Sequence, residues 1–89
     1  MIGMYTIVTK EDCPWCVMAK KVLNENHMPF EEISIPDSIS KEEFYTMIEN
    51  HDTPKTVPKI FNGKELIGGY EELIEWIDGH SGGYGKSSI

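Results

Sequence analysis

The alternation of apolar and polar positions divides the first half of the chain into a strand, a helix and a strand. Residues 4–9 form an apolar, β-branched run that predicts a strand. Residues 17–26 carry apolar side chains at helical spacing, and Cys13 and Pro14 fit the N-cap and first position of that helix. Residues 30–35 alternate between apolar and polar side chains, which predicts a second, half-buried strand.

The second half of the chain adds a helix, a hairpin and a last helix. Ser40 and Glu43 have the spacing of a capping box, and the helix they open has three apolar positions on one face: Phe44, Met47 and Ile48. Residues 59–61 and 64–67 predict short strands joined by Asn62-Gly63, a strong hairpin signal. The last helix is predicted from apolar positions at helical spacing, namely Tyr70, Leu73, Ile74 and Ile77.

The predicted element order is therefore β-α-β-α-β-β-α. The first β-α-β unit should be right-handed with parallel strands, and the hairpin should add antiparallel strands. We predict an α/β fold, a four-stranded mixed sheet with helices on both faces. Residues 1–79 are assigned to one domain that ends with the last helix, and residues 80–89, rich in Gly and Ser, to a flexible tail.

Composition narrows the classes of partner. The 89 residues include 8 lysines, no arginine and 15 acidic residues, for a net charge of −7. That balance argues against nucleic acid and against anionic membranes, since both need a basic surface. No apolar run approaches the roughly 20 residues of a membrane helix, and a signal peptide is not evident. We expect a cytoplasmic monomer.

Cys13 and Cys16 are the only cysteines, spaced so that one helical turn brings both sulfurs to the same face, where they can close a disulfide. In the cytoplasm such a pair is more often catalytic or metal-binding than structural. Zinc usually takes four ligands, and the histidines (His27, His51 and His80) are not at ligand spacing. A dithiol between a strand and a helix is typical of a thioredoxin-like redox site, so no metal is expected.

The two cysteines are expected to play different parts. Cys13 should be the nucleophile, because a helix N-terminus and Lys10, three residues earlier, both lower the pKa of its thiol. Cys16, one turn into the helix, should be more buried and act as the resolving thiol.

Order, length and motifs together resemble a glutaredoxin over most of the chain. The dithiol motif is Thr-Lys-Glu-Asp-Cys-Pro-Trp-Cys at residues 9–16. Thr56-Val57-Pro58 is similar to a second family motif, and Gly68-Gly69-Tyr70-Glu71-Glu72-Leu73 to a third. The resemblance implies a thioredoxin-like fold and glutathione as co-substrate.

The resemblance also implies a glutathione site, with nine residues as its members: Lys10, Trp15, Thr56, Val57, Pro58, Gly69, Tyr70, Glu71 and Glu72. Pro58 should be cis and face the cysteines, and Val57 should pair with the extended tripeptide through its backbone. Family members tend to carry Thr or Ser followed by Asp where this chain has Glu71 and Glu72. Two glutamates could bind the ammonium of the γ-glutamyl end but would repel its carboxylate.

The function implied is glutathione-dependent reduction of protein disulfides and of glutathionylated proteins, with ribonucleotide reductase as a partner. One alternative is a redoxin fed by thioredoxin reductase, against which the Gly-Gly-Tyr-Glu-Glu sequence argues. Another is a dimer that carries a [2Fe–2S] cluster on two Cys13 thiolates and two glutathiones. Pro14 counts against the cluster, because cluster-binding relatives usually have a small residue there.

Overall fold

The computed structural model describes residues 4–80, which form one mixed sheet and three helices. The strands are β1 (Tyr5–Lys10), β2 (Phe30–Ile35), β3 (Lys59–Asn62) and β4 (Glu65–Gly68). The helices are α1 (Pro14–Glu25), α2 (Lys41–Ile48) and α3 (Tyr70–His80). The strand order is β2-β1-β3-β4, with β1 and β2 parallel and β3 antiparallel to both of its neighbours. The predicted sheet is confirmed.

Side chains that alternate along the central strands build a core on each face of the sheet. Ile7 of β1 and Ile60 of β3 face one side, where α1 and α3 cover them with Ala19, Leu23, Leu73 and Ile77. The next residue of each strand, Val8 and Phe61, faces the other side against Phe44 and Ile48 of α2. Helices therefore lie on both faces, as predicted.

The helix starts follow the predicted caps. Cys13 is the N-cap of α1 and Pro14 its first residue, where the missing N–H removes no helical hydrogen bond. At α2 the Ser40 hydroxyl accepts from the Glu43 N–H at 3.0 Å, and the Glu43 carboxylate accepts from the Ser40 N–H at 2.8 Å. Local hydrogen bonds thus fix the N-terminal start of both α1 and α2.

Several details differ from the prediction. The hairpin turn consists of Gly63 and Lys64 rather than Asn62-Gly63, because Asn62 still pairs with Glu65 and Gly63 takes the left-handed φ of +64°. Met47 is 37% exposed, since α2 is short and contacts the sheet through Phe44 and Ile48 instead. Helix α3 ends at His80, one residue past the predicted end, and residues 81–89 of the predicted tail lie outside the described residues.

No helix within residues 4–80 combines the length and the apolar character needed to cross a membrane.

Gly68, at the end of β4, has a backbone that other residues rarely adopt. Its φ is +129°, and an added Cβ would lie 2.6 Å from the Cβ of Glu72. We expect Gly68→Ala to lower the free energy of unfolding by about 2–4 kcal/mol, from strain and overpacking together. Urea denaturation would measure it.

Gly79→Ala is the matched control, because Gly79 lies in α3 with open space around its Cβ position. It should raise stability slightly, by less than about 1 kcal/mol. Equal effects of the two alanines would contradict the strain assigned to Gly68.

Candidate active site

The two cysteines form a disulfide at the start of α1. Their Cα atoms are 5.2 Å apart. As N-cap, Cys13 places its Sγ where the Cys16 N–H donates to it at 3.2 Å. The same N–H and the positive end of the helix would stabilise a thiolate on Cys13 once the disulfide is reduced.

The sulfurs differ in access. Cys16 is 2% exposed, whereas Cys13 is half-buried and reaches the surface. The difference follows from helical position, because Cys16 lies on the inward face of α1 with Ala19 and Leu23. An incoming sulfur can therefore reach Cys13 and not Cys16, which is the geometry predicted for nucleophile and resolving thiol.

The loop before β3 faces the dithiol. The Val57 carbonyl oxygen lies 4.0 Å from the Cys13 Sγ, and the Val57–Pro58 peptide bond is cis, as expected. Pro58 is buried, while Thr56 is exposed and Val57 half-buried. The backbone of Thr56 and Val57 is thereby held beside the reactive sulfur.

A groove of about 240 Å³ runs from this loop to the start of α3, and we call it the α3 groove. Its lining consists of Trp15, Thr53, Pro54, Thr56, Val57, Pro58, Lys59, Gly69, Tyr70, Glu71 and Glu72. Trp15 is 54% exposed, and its ring lies 5.4 Å from that of Tyr70, centre to centre. The α3 groove brings together every residue of the predicted glutathione site except Lys10.

Lys10 lines a second groove, of about 390 Å³, which shares Trp15 with the α3 groove; we call it the lysine groove. Its lining consists of Lys10, Asp12, Cys13, Pro14, Trp15, Ile35, Lys41, Phe44, Tyr45, Lys55, Thr56 and Val57. The Lys55 ammonium lies 5.1 Å from the centre of the Tyr45 ring. Because both grooves include Trp15, Thr56 and Val57, they meet beside Cys13.

The two glutamates at the start of α3, predicted to lie at the ligand site, differ in their contacts. The Glu72 carboxylate accepts a hydrogen bond from the Gly69 N–H at 2.9 Å. Glu71 is exposed and lines the same groove. Glu72 is thus anchored to the Gly69 backbone, and Glu71 lines the α3 groove without that anchor.

Lys59 belongs to the α3 groove and was not predicted. It is 2% exposed, and its ammonium donates to the Thr56 hydroxyl at 3.2 Å. Burial lowers the pKa of Lys59, and attraction to Glu72 opposes that shift. No local pattern in the sequence identified it, because its burial depends on the position of β3 between β1 and β4 in the sheet.

A polar network of Thr9, Lys20 and Glu32 on the far side of the dithiol was also not predicted from the sequence. The Thr9 hydroxyl donates to the Glu32 carboxylate at 2.7 Å, and the Lys20 ammonium lies 3.1 Å from the same oxygen. These bonds lower the pKa of Glu32, Thr9 contributing most. Since Thr9, Lys20 and Glu32 come from β1, α1 and β2, the network ties together the elements that flank the cysteines.

The sulfur pair supplies the redox chemistry of this arrangement. A disulfide with one accessible sulfur at a helix N-terminus is suited to thiol–disulfide exchange. Within residues 4–80, His, Cys, Asp and Glu side chains form no group of three or more placed to hold a metal ion.

We expect the Cys13 thiol of the reduced protein to react with iodoacetamide as a single fast phase. The pH midpoint of the alkylation rate should lie well below roughly 8.5, the pKa of a free cysteine thiol, because the Cys16 N–H and the helix dipole favour the thiolate. Lys10→Gln should raise that midpoint by about half a pH unit or less, since Lys10 is exposed.

Lys64→Gln is the control for this titration, because Lys64 lies in the hairpin turn at the opposite end of β3 from the site. It removes the same charge at a distance where salt screens the effect. A Cys13 midpoint at or above that of free cysteine would remove the electrostatic argument.

The chain is similar to known proteins over most of its length. The family model described as Glutaredoxin matches residues 5–67. Glutaredoxin 1 of Rickettsia conorii is 34% identical over 74 residues, which cover 81% of this chain and 72% of that protein. Glutaredoxin-1 of Ectromelia virus is 37% identical over 73 residues, covering 79% and 68%. The crystal structure of Glutaredoxin 1 from Francisella tularensis, complexed with cacodylate, superimposes with a TM-score of 0.72 at 36% identity, over 85% of this chain and 93% of that one.

Proposed function

Because the chain belongs to the glutaredoxin family of thiol–disulfide oxidoreductases, we propose that it uses glutathione to reduce protein disulfides and glutathionylated proteins. The observation that carries the proposal is the position of the Cys13 Sγ, the accessible sulfur of the pair, where the α3 groove and the lysine groove meet. An extended tripeptide whose cysteine lies at Cys13 would place one end in each groove.

The proposed binding mode assigns a part to each groove. The cysteine of glutathione pairs with the Val57 backbone, and Trp15, Thr56, Pro58 and Tyr70 flank it. Its glycine carboxylate points to Lys10, and its γ-glutamyl end to Gly69, Glu71 and Glu72 at the start of α3. Charge supports this direction, since lysines concentrate in one groove and glutamates in the other.

Reduction of a protein disulfide begins when the Cys13 thiolate attacks one substrate sulfur. A mixed disulfide forms, and the other substrate sulfur leaves as a thiolate that takes up a proton. The Cys16 thiolate then attacks the Cys13 Sγ, which releases the second substrate thiol and closes the Cys13–Cys16 disulfide.

Two glutathiones regenerate the dithiol. The thiolate of the first glutathione attacks the Cys13 Sγ, forms a mixed disulfide with Cys13 and releases Cys16 as a thiolate. The second attacks the sulfur of the bound glutathione, so that glutathione disulfide leaves and Cys13 returns as a thiolate. With a glutathionylated protein, Cys13 takes the glutathione directly and only this last step follows.

The proposed setting is the cytoplasm, where the glutathione pool keeps thiols reduced, and the proposed acting form is a monomer. Protein substrates would include ribonucleotide reductase, to which the family supplies electrons. Glutathione is the only co-substrate that the proposal needs.

The proposal is tested by reduction of hydroxyethyl disulfide in the presence of glutathione, glutathione reductase and NADPH. We expect NADPH oxidation that depends on the protein and on glutathione together. Replacing glutathione and its reductase by thioredoxin reductase should abolish the activity. Turnover with thioredoxin reductase alone would favour the redoxin alternative and overturn the proposal.

A further inference from the structure

The start of α3 already holds an anion, and that anion belongs to the chain itself. Gly69 directly precedes α3, and its carbonyl accepts from the Leu73 N–H at 2.9 Å. Its own N–H, at the positive end of the helix, donates to the Glu72 carboxylate at 2.9 Å. The Gly69 N–H is therefore not free to receive a ligand carboxylate.

The double glycine makes room for this contact. A Cβ on Gly68 would lie 2.6 Å from the Glu72 Cβ, and one on Gly69 would lie 3.4 Å from the Glu72 Oε1. The side chain of Glu72 thus lies against the backbone of both glycines along its whole length. Lys59, in the same groove, attracts the Glu72 carboxylate.

We propose that Glu72 is a specificity-determining residue that occupies the carboxylate position of the α3 groove, so that an anionic ligand end must displace it. The inference rests on the proposed function, because it concerns the γ-glutamyl end of glutathione. Its consequence is a groove that discriminates against a free carboxylate. Disulfides that present no carboxylate there, such as those of protein substrates, avoid this competition.

An ordinary helix cap would use the same hydrogen bond, and the two roles differ in what a ligand experiences. A cap that only stabilises α3 changes the folding free energy and leaves affinity for acid and amide ligands in the same ratio. An occupant of the carboxylate position penalises the acid selectively. Binding of an acid and its amide therefore separates the roles.

The test uses S-methylglutathione, which cannot exchange disulfides, and its analogue with the γ-glutamyl α-carboxylate converted to an amide. Isothermal titration of the reduced full-length protein would give both dissociation constants. We expect the native protein to bind acid and amide within about twofold of each other. Glu72→Gln should bind the acid about two- to fivefold tighter, less so in high salt, and leave the amide unchanged.

Two further variants separate charge from position. Glu71→Gln removes the same charge from the same groove without touching the Gly69 N–H, so its gain should stay below about twofold. Glu72→Asp keeps the charge but shortens the side chain by one methylene, so the Gly69 N–H should be released and the acid bound more tightly. Circular dichroism would verify that each variant is folded.

The outcomes are distinct. Weaker binding of the acid by Glu72→Gln would mean that Glu72 holds the ligand ammonium, and the inference would be wrong. Equal gains for acid and amide, equal gains for Glu71→Gln, or no gain at all would also overturn it. If no protein binds either probe and the glutathione assay fails, the proposed function falls and takes the inference with it. Binding by the native protein without the selective gain defeats the inference alone.

Discussion

Replacement of Cys13 by serine is expected to abolish every disulfide-exchange activity of the protein. The Cys13 Sγ is the accessible sulfur, and Cys16, at 2% exposure, cannot be reached by a substrate. A serine hydroxyl at the same N-cap remains protonated at neutral pH and forms no disulfide. We expect loss of at least about a thousandfold, the scale seen when a nucleophile is removed.

Initial rates with hydroxyethyl disulfide and with a glutathionylated peptide would measure this loss. The serine hydroxyl can accept a hydrogen bond from the Cys16 N–H at the N-cap. Helix α1 should therefore begin at the same residue, and the variant should have the melting temperature of the native protein. Retention of either activity would show that Cys16 or another group can attack, and the assignment of Cys13 as nucleophile would be wrong.

The parts of the fold that depend on neighbours in sequence were predictable. Alternation along β1 sends Ile7 and Val8 to opposite faces, so both faces of the sheet must be covered, and the predicted helices can cover them. The caps at Cys13 and Ser40 involve residues within one turn, so their patterns are visible in the sequence. The cysteine pair needed no tertiary information either, because its spacing is that of one helical turn.

Burial of Lys59 could not be predicted in the same way. A lysine after Pro58 would be exposed on an edge strand, and it is covered here because β3 lies between β1 and β4. That position in the sheet depends on pairing across the chain, opposite Val8, which no local pattern specifies. The same argument applies to the bond between Thr9 and Glu32, which joins two strands.

The contact between Gly69 and Glu72 is different, because its partners are only three positions apart in the sequence and it was within reach of sequence reasoning. A glutamate three positions after a helix N-cap commonly bonds back to the N-cap N–H. In the sequence the two glutamates indicate only charges near a ligand, and the capping pattern is hidden because Gly69 has no side chain to complete it. Only the structure distinguishes Glu72, which is anchored, from Glu71.

Replacement of Cys16 by serine should separate the two activities of the protein. Release of a protein substrate needs a second thiolate to attack the Cys13 Sγ, and Cys16 is the only other cysteine in the chain. We expect reduction of an intramolecular protein disulfide to fall by at least about a hundredfold, with the mixed disulfide accumulating. Transfer of glutathione from a glutathionylated peptide requires Cys13 alone and should stay within about threefold of the native rate.

Mass spectrometry of the reaction with a disulfide substrate would detect the trapped adduct on Cys13, and the coupled assay would give both rates. Because position 16 is buried among apolar residues, a serine there can weaken packing, and Cys16→Ala serves as the second variant. Both substitutions should give the same split between activities. Loss of deglutathionylation in a folded Cys16→Ala protein would mean that Cys16 takes part in attack, and the division between nucleophile and resolving thiol would have to be abandoned.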